Sequence, residues 1–260
     1  MDRNSFEPQD RPIFIGCAGW GISSAMQHRF PGGGSQLQRY AAVLPAVEIN
    51  TSFYRPHRPS TYARWRDSVP DAFRFAAKVP KAITHELRLR QACEPLKKFI
   101  DEVTHLEDKL GCLLVQLPPR LHYDREVAQR FFTQLRDLTH VALVCEARHA
   151  TWFSEEAAAL LAGFGVAQVI ADPQIAPLPA APHKVKTEYF RLHGSPVMYY
   201  SSYPEDYLDR LAATLEMRAR SGRQVWCVFD NTAEGAALPN ALGLLARLGT
   251  AREIAGRAAG

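Results

Sequence analysis

The chain has 260 residues, a formal charge of +4 and an apolar fraction of 47%. That is ample for a large core and excludes bulk disorder. The charge is mild and forms no run of Lys or Arg, which leaves a nucleic-acid partner only weakly supported and permits a small anionic one.

Residues 1–12 are polar and carry acidic groups, so they read as a flexible segment, neither signal peptide nor anchor. A first strand is expected at 13–17, an amphipathic helix at 35–44 and a second strand at 46–50. Ser60 would cap a helix through Val69, ahead of a third strand at 73–78. Pro95 suits the first turn of a helix reaching Leu110, with Gly111 as its stop. A strand at 112–116, a helix at 125–138, a strand at 142–146 and a helix at 155–164 capped by Ser154 continue the alternation. After a strand at 166–170 it breaks: Pro173, Pro177, Pro179 and Pro182 rule out a regular helix over most of 172–183. A strand at 189–193, a helix from Pro204 to about Arg220, a strand at 225–230 and a helix at 235–248 complete the pattern. Residues 249–260 read as a frayed tail.

Strands alternating with helices imply parallel pairing through right-handed crossovers. The expected fold is α/β: a single (β/α)8 TIM-type barrel over 13–248, with an irregular Pro-rich crossover between the sixth and seventh strands. Strands of an open sheet covered on both faces should be almost wholly apolar. Several here carry charges, as the inward face of a barrel allows.

The working face of such a fold lies at the C-terminal strand ends. Period-two alternation puts Glu48 and Asn50 on one side of the second strand, and Arg191 and His193 on one side of the seventh. Lys78, Gln116, Glu146 with Arg148, and Asp230 with Asn231 close other strands. Buried charges are costly unless paired, so ion pairs such as Glu48 with Lys78 and Glu146 with Arg191 are the structural alternative. As a site, Lys78, Arg148 and Arg191 could clamp phosphate or carboxylate, while Glu48, Glu146, His193 and Asp230 are the catalytic candidates. Tyr54, Trp152 and the loop residue His85 join Asn50, Gln116 and Asn231 as candidate substrate contacts. No H-x-x-x-H helix, nucleophile elbow or phosphate-binding glycine loop is present. The five cysteines include no C-x-x-C pair and read as reduced residues of a cytoplasmic protein. No apolar stretch nears the roughly 20 residues that span a bilayer.

The motifs Val47-Glu48-Ile49-Asn50 with Ser52-Phe53-Tyr54-Arg55, Ile83-Thr84-His85-Glu86, and Lys109-Leu110-Gly111 leading to Gln116-Leu117-Pro118-Pro119 carry a resemblance. So do Glu146-Ala147-Arg148 with Trp152-Phe153, Arg191-Leu192-His193-Gly194, and Phe229-Asp230-Asn231 with Gly235 and Asn240-Ala241. In this order they resemble the YecE-like family, domain of unknown function 72. The resemblance implies a TIM-type barrel and no particular reaction. The family's first turn usually carries hydroxyls where Cys17 and Ala18 stand, and its aromatic residues after that turn are replaced around Ile22 and Met26. Asp230-Asn231 replaces a common Asn-Asn pair.

The leading expectation is a hydrolase-like enzyme for an anionic, phosphate-bearing substrate: a nucleotide, a sugar phosphate or a nucleic-acid end. One version is phosphoester hydrolysis assisted by a divalent metal held by Glu48, Glu146, His193 and Asp230. The alternatives are a glycosidase or sugar isomerase using paired carboxylates, and a non-catalytic barrel that binds a metabolite or partner.

Overall fold

A computed structural model describes residues 13–179 and 185–258. The segment 1–12 and Pro182 of the Pro-rich crossover lie outside the described residues. The strands are β1 (Ile13–Cys17), β2 (Ala46–Ile49), β3 (Arg74–Lys78), β4 (Leu110–Gln116), β5 (Ala142–Glu146), β6 (Val166–Gln168), β7 (Ile170–Asp172), β8 (Thr187–Leu192) and β9 (Gln224–Phe229). Between them run α1 (Gln36–Ala41), α2 (Pro59–Asp67), α3 (Cys93–Val103), α4 (Arg125–Leu138), α5 (Glu155–Gly163) and α6 (Glu205–Arg220), and α7 (Ala237–Ala258) follows. The fold is mixed α/β, and every strand pairing is parallel, as helical crossovers require.

The strands form two sheets, ordered β1-β9-β8-β7 and β2-β3-β4-β5-β6. The sheets approach each other at two seams. At one, Ala18 forms a parallel bridge with Glu48. At the other, the expected sixth strand proves to be two short ones separated by Val169, whose N–H donates to the Cys145 carbonyl at 2.9 Å. Residues 166–168 pair with β5, and 170–172 with β8.

Helix ends follow local chemistry. Ser35 and Gln38 form a capping box on α1, and the Ser154 hydroxyl accepts the Ala157 N–H at the start of α5. Ser60 is not a cap: α2 begins at Pro59, whose fixed φ suits a first turn, and Arg58 holds the cap position. Helix α7 continues past Leu248 to Ala258. No regular helix spans the described part of the Pro-rich crossover. Among the described residues no helix is long and apolar enough to cross a membrane.

Buried apolar residues form two clusters. The larger packs one strand face against the helices. The smaller is drawn from strands of both sheets: Phe14, Ala46, Ala76, Leu114, Val144, Ala167, Tyr189, Trp226 and Val228 are among its members. Trp226 fills its centre, 4.7 Å from the Phe14 ring and stacked at 5.9 Å on Tyr189. Gly111 makes room for it, because a Cβ there would lie 2.6 Å from Trp226 Cζ2. That glycine is therefore a strand residue of β4 and not a helix stop; α3 ends at Val103 and a 3-10 stretch, Thr104–Lys109, follows.

Alternation carries this second face from apolar to charged along β2, β3, β5, β8 and β9. Glu48 follows Ala46, Lys78 follows Ala76, Glu146 follows Val144, Arg191 follows Tyr189 and Asp230 follows Val228. The seam between β1 and β2 is tight beneath them: a Cβ on Gly16 would sit 2.1 Å from the Ala46 carbonyl oxygen. Gly16→Ala is expected to lower the urea unfolding free energy by about 1–3 kcal/mol, the range for overpacking a filled site. Gly163→Ala, on open helix surface with nothing within 4 Å, should be neutral or stabilising in the same assay.

Candidate functional site

Arg191 is the centre of the charged face. Its Nε and Nη2 donate to Glu48 at 3.0 and 2.7 Å, and its Nη1 lies 3.1 Å from Glu146 and 3.0 Å from Asp230. A rigid fork of donors can bond three carboxylates at once and grip one of them bidentately, a geometry that a single ammonium does not match. Tyr189, whose ring belongs to the apolar layer below, donates its hydroxyl to Glu48 at 2.9 Å. Arg191, Glu48 and Glu146 are all at most 1% exposed.

His193 lies beside them, wholly buried, with Nδ1 2.9 Å from Asp230 and Nε2 2.8 Å from Glu146. Arg148 Nη2 reaches both Glu146, at 2.7 Å, and His193 Nε2, at 2.9 Å. An ionised Asp230 only accepts, so Nδ1 carries the hydrogen. Nε2 then has two options: to accept from Arg148, or to donate to Glu146 once protonated.

Burial raises the Glu146 carboxyl, but Arg191, His193 and Arg148 together outweigh it and hold it well below the usual carboxylate range. Asp230 is lowered too: burial opposes this, and Arg191 and His193 prevail. Lys78 moves the opposite way for an ammonium. Burial first, then the Arg191 charge, lowers it to about 8. Its Nζ donates to Asn50 Oδ1 at 3.1 Å and sits 4.1 Å from the Phe53 ring centroid. His85, half-buried on a π-helical turn (Ala82–Glu86), pairs with the Thr84 hydroxyl at 2.8 Å and packs edge-on to Phe53. Burial lowers it, with Lys78, Lys81 and Arg148 adding to the effect.

The structure therefore brings Glu48, Glu146, Arg148, Arg191, His193 and Asp230 into one contact network, with Lys78, Asn50 and His85 beside it. The expected Glu48–Lys78 pair is replaced by Glu48–Arg191, while Glu146–Arg191 does form. Gln116 stands in register with Glu146, but no hydrogen bond among the described residues joins its side chain to the network.

Three predicted contacts lie elsewhere. Trp152 is 1% exposed and its indole N–H is taken by the Leu121 carbonyl at 2.9 Å, so it packs the core instead of facing a ligand. Asn231 is buried and donates to the Ser201 carbonyl and to Asn240, fixing the loop after β8. Tyr54 is exposed on a neighbouring groove of about 430 Å³ with Arg55, Ile83 and Phe99. Lys109 also has a packing role: its Nζ donates to the carbonyls of Arg66 and Val69.

Residues the sequence reading passed over include Tyr189 and Met198. Tyr189 was legible, since the alternation that joins Arg191 to His193 includes it. Met198 Sδ lies 3.8 Å from Arg148 Nη1, and the neighbouring Tyr199 ring stands edge-on to His193 at 5.6 Å. No local pattern marks a loop thioether for such a contact. Cys17 is buried, and burial pushes its thiol up to about 12, which removes it as a thiolate nucleophile.

A divalent metal does not fit the four expected ligands. The point where Glu48, Glu146 and Asp230 converge holds the Arg191 guanidinium, itself a cation bonded to all three. Among the described residues no group of three or more His, Cys, Asp or Glu side chains could hold a metal ion.

The chain matches the family model described as "Protein of unknown function DUF72" over residues 14–259. It is 31% identical over 106 residues to the UPF0759 protein YecE of Escherichia coli strain K12, covering 41% of this chain and 38% of that protein. It is 24% identical over 149 residues to the UPF0759 protein YunF of Bacillus subtilis strain 168, covering 55% of this chain and 52% of the relative. The matched stretches thus span about two-fifths and about half of those relatives. A DUF72 family protein from Thermotoga maritima MSB8 superposes with a TM-score of 0.76 at 24% identity, covering 91% of this chain and 98% of that one. One from Enterococcus faecalis V583 gives 0.74 at 23%, covering 92% and 98%. The charged network and the parallel α/β framework that carries it thus belong to a member of the DUF72 family.

Proposed function

We propose that this protein is an enzyme whose two sheets close into one eight-stranded (β/α) barrel, with the charged network as its active site. The Ala18–Glu48 bridge at one seam, the shared stretch 166–172 at the other and a common apolar cluster support closure. The substrate is a small molecule bearing a phosphate. The carrying observation is unused cationic donor capacity at the strand ends. Arg148 Nε is buried with no acceptor among the described residues. A phosphate has the oxygens and the charge to satisfy it.

His193 is the proton-transfer residue, with Asp230 fixing its ring and Glu146 stabilising the imidazolium. Glu146 is held ionised by Arg191, His193 and Arg148, and both oxygens of Glu48 are taken up by Arg191, an arrangement that does not suit the protonated acid a paired-carboxylate glycosidase needs. Acid–base chemistry on a sugar phosphate suits the site better. The chain's five free thiols, four of them buried, are consistent with a cytoplasmic setting.

Calorimetric titration with matched phosphorylated and dephosphorylated sugars and nucleosides tests this. Some phosphorylated members should bind, and Arg148→Gln should weaken them about tenfold or more, as loss of a charge-assisted contact does. Preference for the dephosphorylated members would overturn the reading.

A further inference from the structure

Lys78 is unusual among the buried cations of the network. Arg191 and Arg148 each touch carboxylates, whereas Lys78 has the Asn50 amide oxygen at 3.1 Å and the face of Phe53 as its neighbours. Its residue is only 5% exposed. The charged groups that act on it are Arg191, Glu48, Asp230 and Glu146, with Arg191 the nearest in effect and opposing its charge. An ammonium in this position lacks the partner that would justify its burial. A neutral amine does not need one, since it can donate to Asn50 and keep a free lone pair.

We propose that Lys78 is a nucleophilic amine that forms a covalent imine with an aldehyde or ketone group of the substrate. The lone pair on Nζ attacks the carbonyl carbon and the C=O π pair moves to oxygen. The nitrogen gives up a proton, the oxygen takes up two, and water leaves; one net proton is consumed and nothing is oxidised or reduced. The iminium draws electrons from the adjacent carbon, acidifying the C–H bond there. Desolvation together with a neighbouring cation is the known way to free a lysine amine. At about 8, roughly a tenth of the molecules carry the free amine at pH 7, against about one in three thousand for an ordinary lysine.

This names a carbonyl compound as the substrate class and rests on the phosphate reading only for the other end of the molecule. The test uses the full chain with glycolaldehyde or glycolaldehyde phosphate and sodium cyanoborohydride, followed by peptide mapping. Lys78 should be reductively alkylated at least tenfold faster than the exposed Lys97 and Lys98 at pH 7. Its rate should level off above about pH 8 while theirs keeps climbing. Faster labelling by the phosphorylated aldehyde supports the phosphate reading; equal labelling by both would overturn that reading and leave the amine chemistry standing. Lys97 and Lys98 labelled with Lys78 untouched, or labelled no faster, would overturn the imine.

Discussion

Arg191→Met is expected to destabilise the protein by about 3–5 kcal/mol at pH 7.5, the cost of stripping the partner from buried charges. Methionine restores volume but leaves Glu48, Glu146 and Asp230 facing one another without the guanidinium. The pH dependence separates this from simple loss of packing. In the wild type Glu146 and Asp230 are held below ordinary carboxylate values, so their contribution is complete above about pH 5 and fades as pH falls through about 4. In the variant, burial and mutual repulsion raise the same groups, and protonating them relieves the strain. The gap between the two proteins should therefore narrow steadily from pH 8 to pH 4.5 in urea melts. A gap below 1 kcal/mol, or one independent of pH, contradicts the assignment.

The second large effect is on turnover. His193→Gln should lower kcat about 10²- to 10⁴-fold on any substrate found, the usual worth of a positioned proton-transfer group. Glutamine can keep one hydrogen bond to Asp230 or Glu146 but cannot take up and release a proton as the imidazole Nε2 does. Asp230→Asn should instead shift the pH–rate profile, because a neutral amide no longer stabilises the imidazolium with its charge. If His193→Gln keeps kcat within threefold, the imidazole is part of the scaffold only.

A well-packed apolar layer would hold these strands together at least as well as buried ion pairs do. Stability alone gives little reason to gather three carboxylates, two guanidiniums, an imidazole and an ammonium at one end of the sheets. That comparison is the physical case for a site.

Much of this was legible in residue order. Alternation with period two set Glu48 apart from Val47 and Ile49, and joined Arg191 to His193, because strand geometry dictates those faces locally. Ser154 announced α5 for the same reason. What sequence concealed depends on contacts between distant elements. Gly111 reads as a helix stop until the Trp226 ring is seen filling the place of its missing side chain. Trp152 reads as a loop aromatic until the Leu121 carbonyl takes its N–H. Partner choice was equally hidden: pairing Glu48 with Lys78 and pairing it with Arg191 satisfy the same alternation, and only geometry decides. Strand six divided because its two halves face different neighbours, a matter of sheet assembly.

The most direct measurement is a crystal structure with a phosphorylated ligand that binds in the calorimetric panel. The account predicts phosphoryl oxygens against Arg148 Nε and a transferable proton about 3 Å from His193 Nε2. A ligand seated in the outer groove by Tyr54 and Phe99, with the Arg148–Glu146–His193 contacts unchanged, would contradict it.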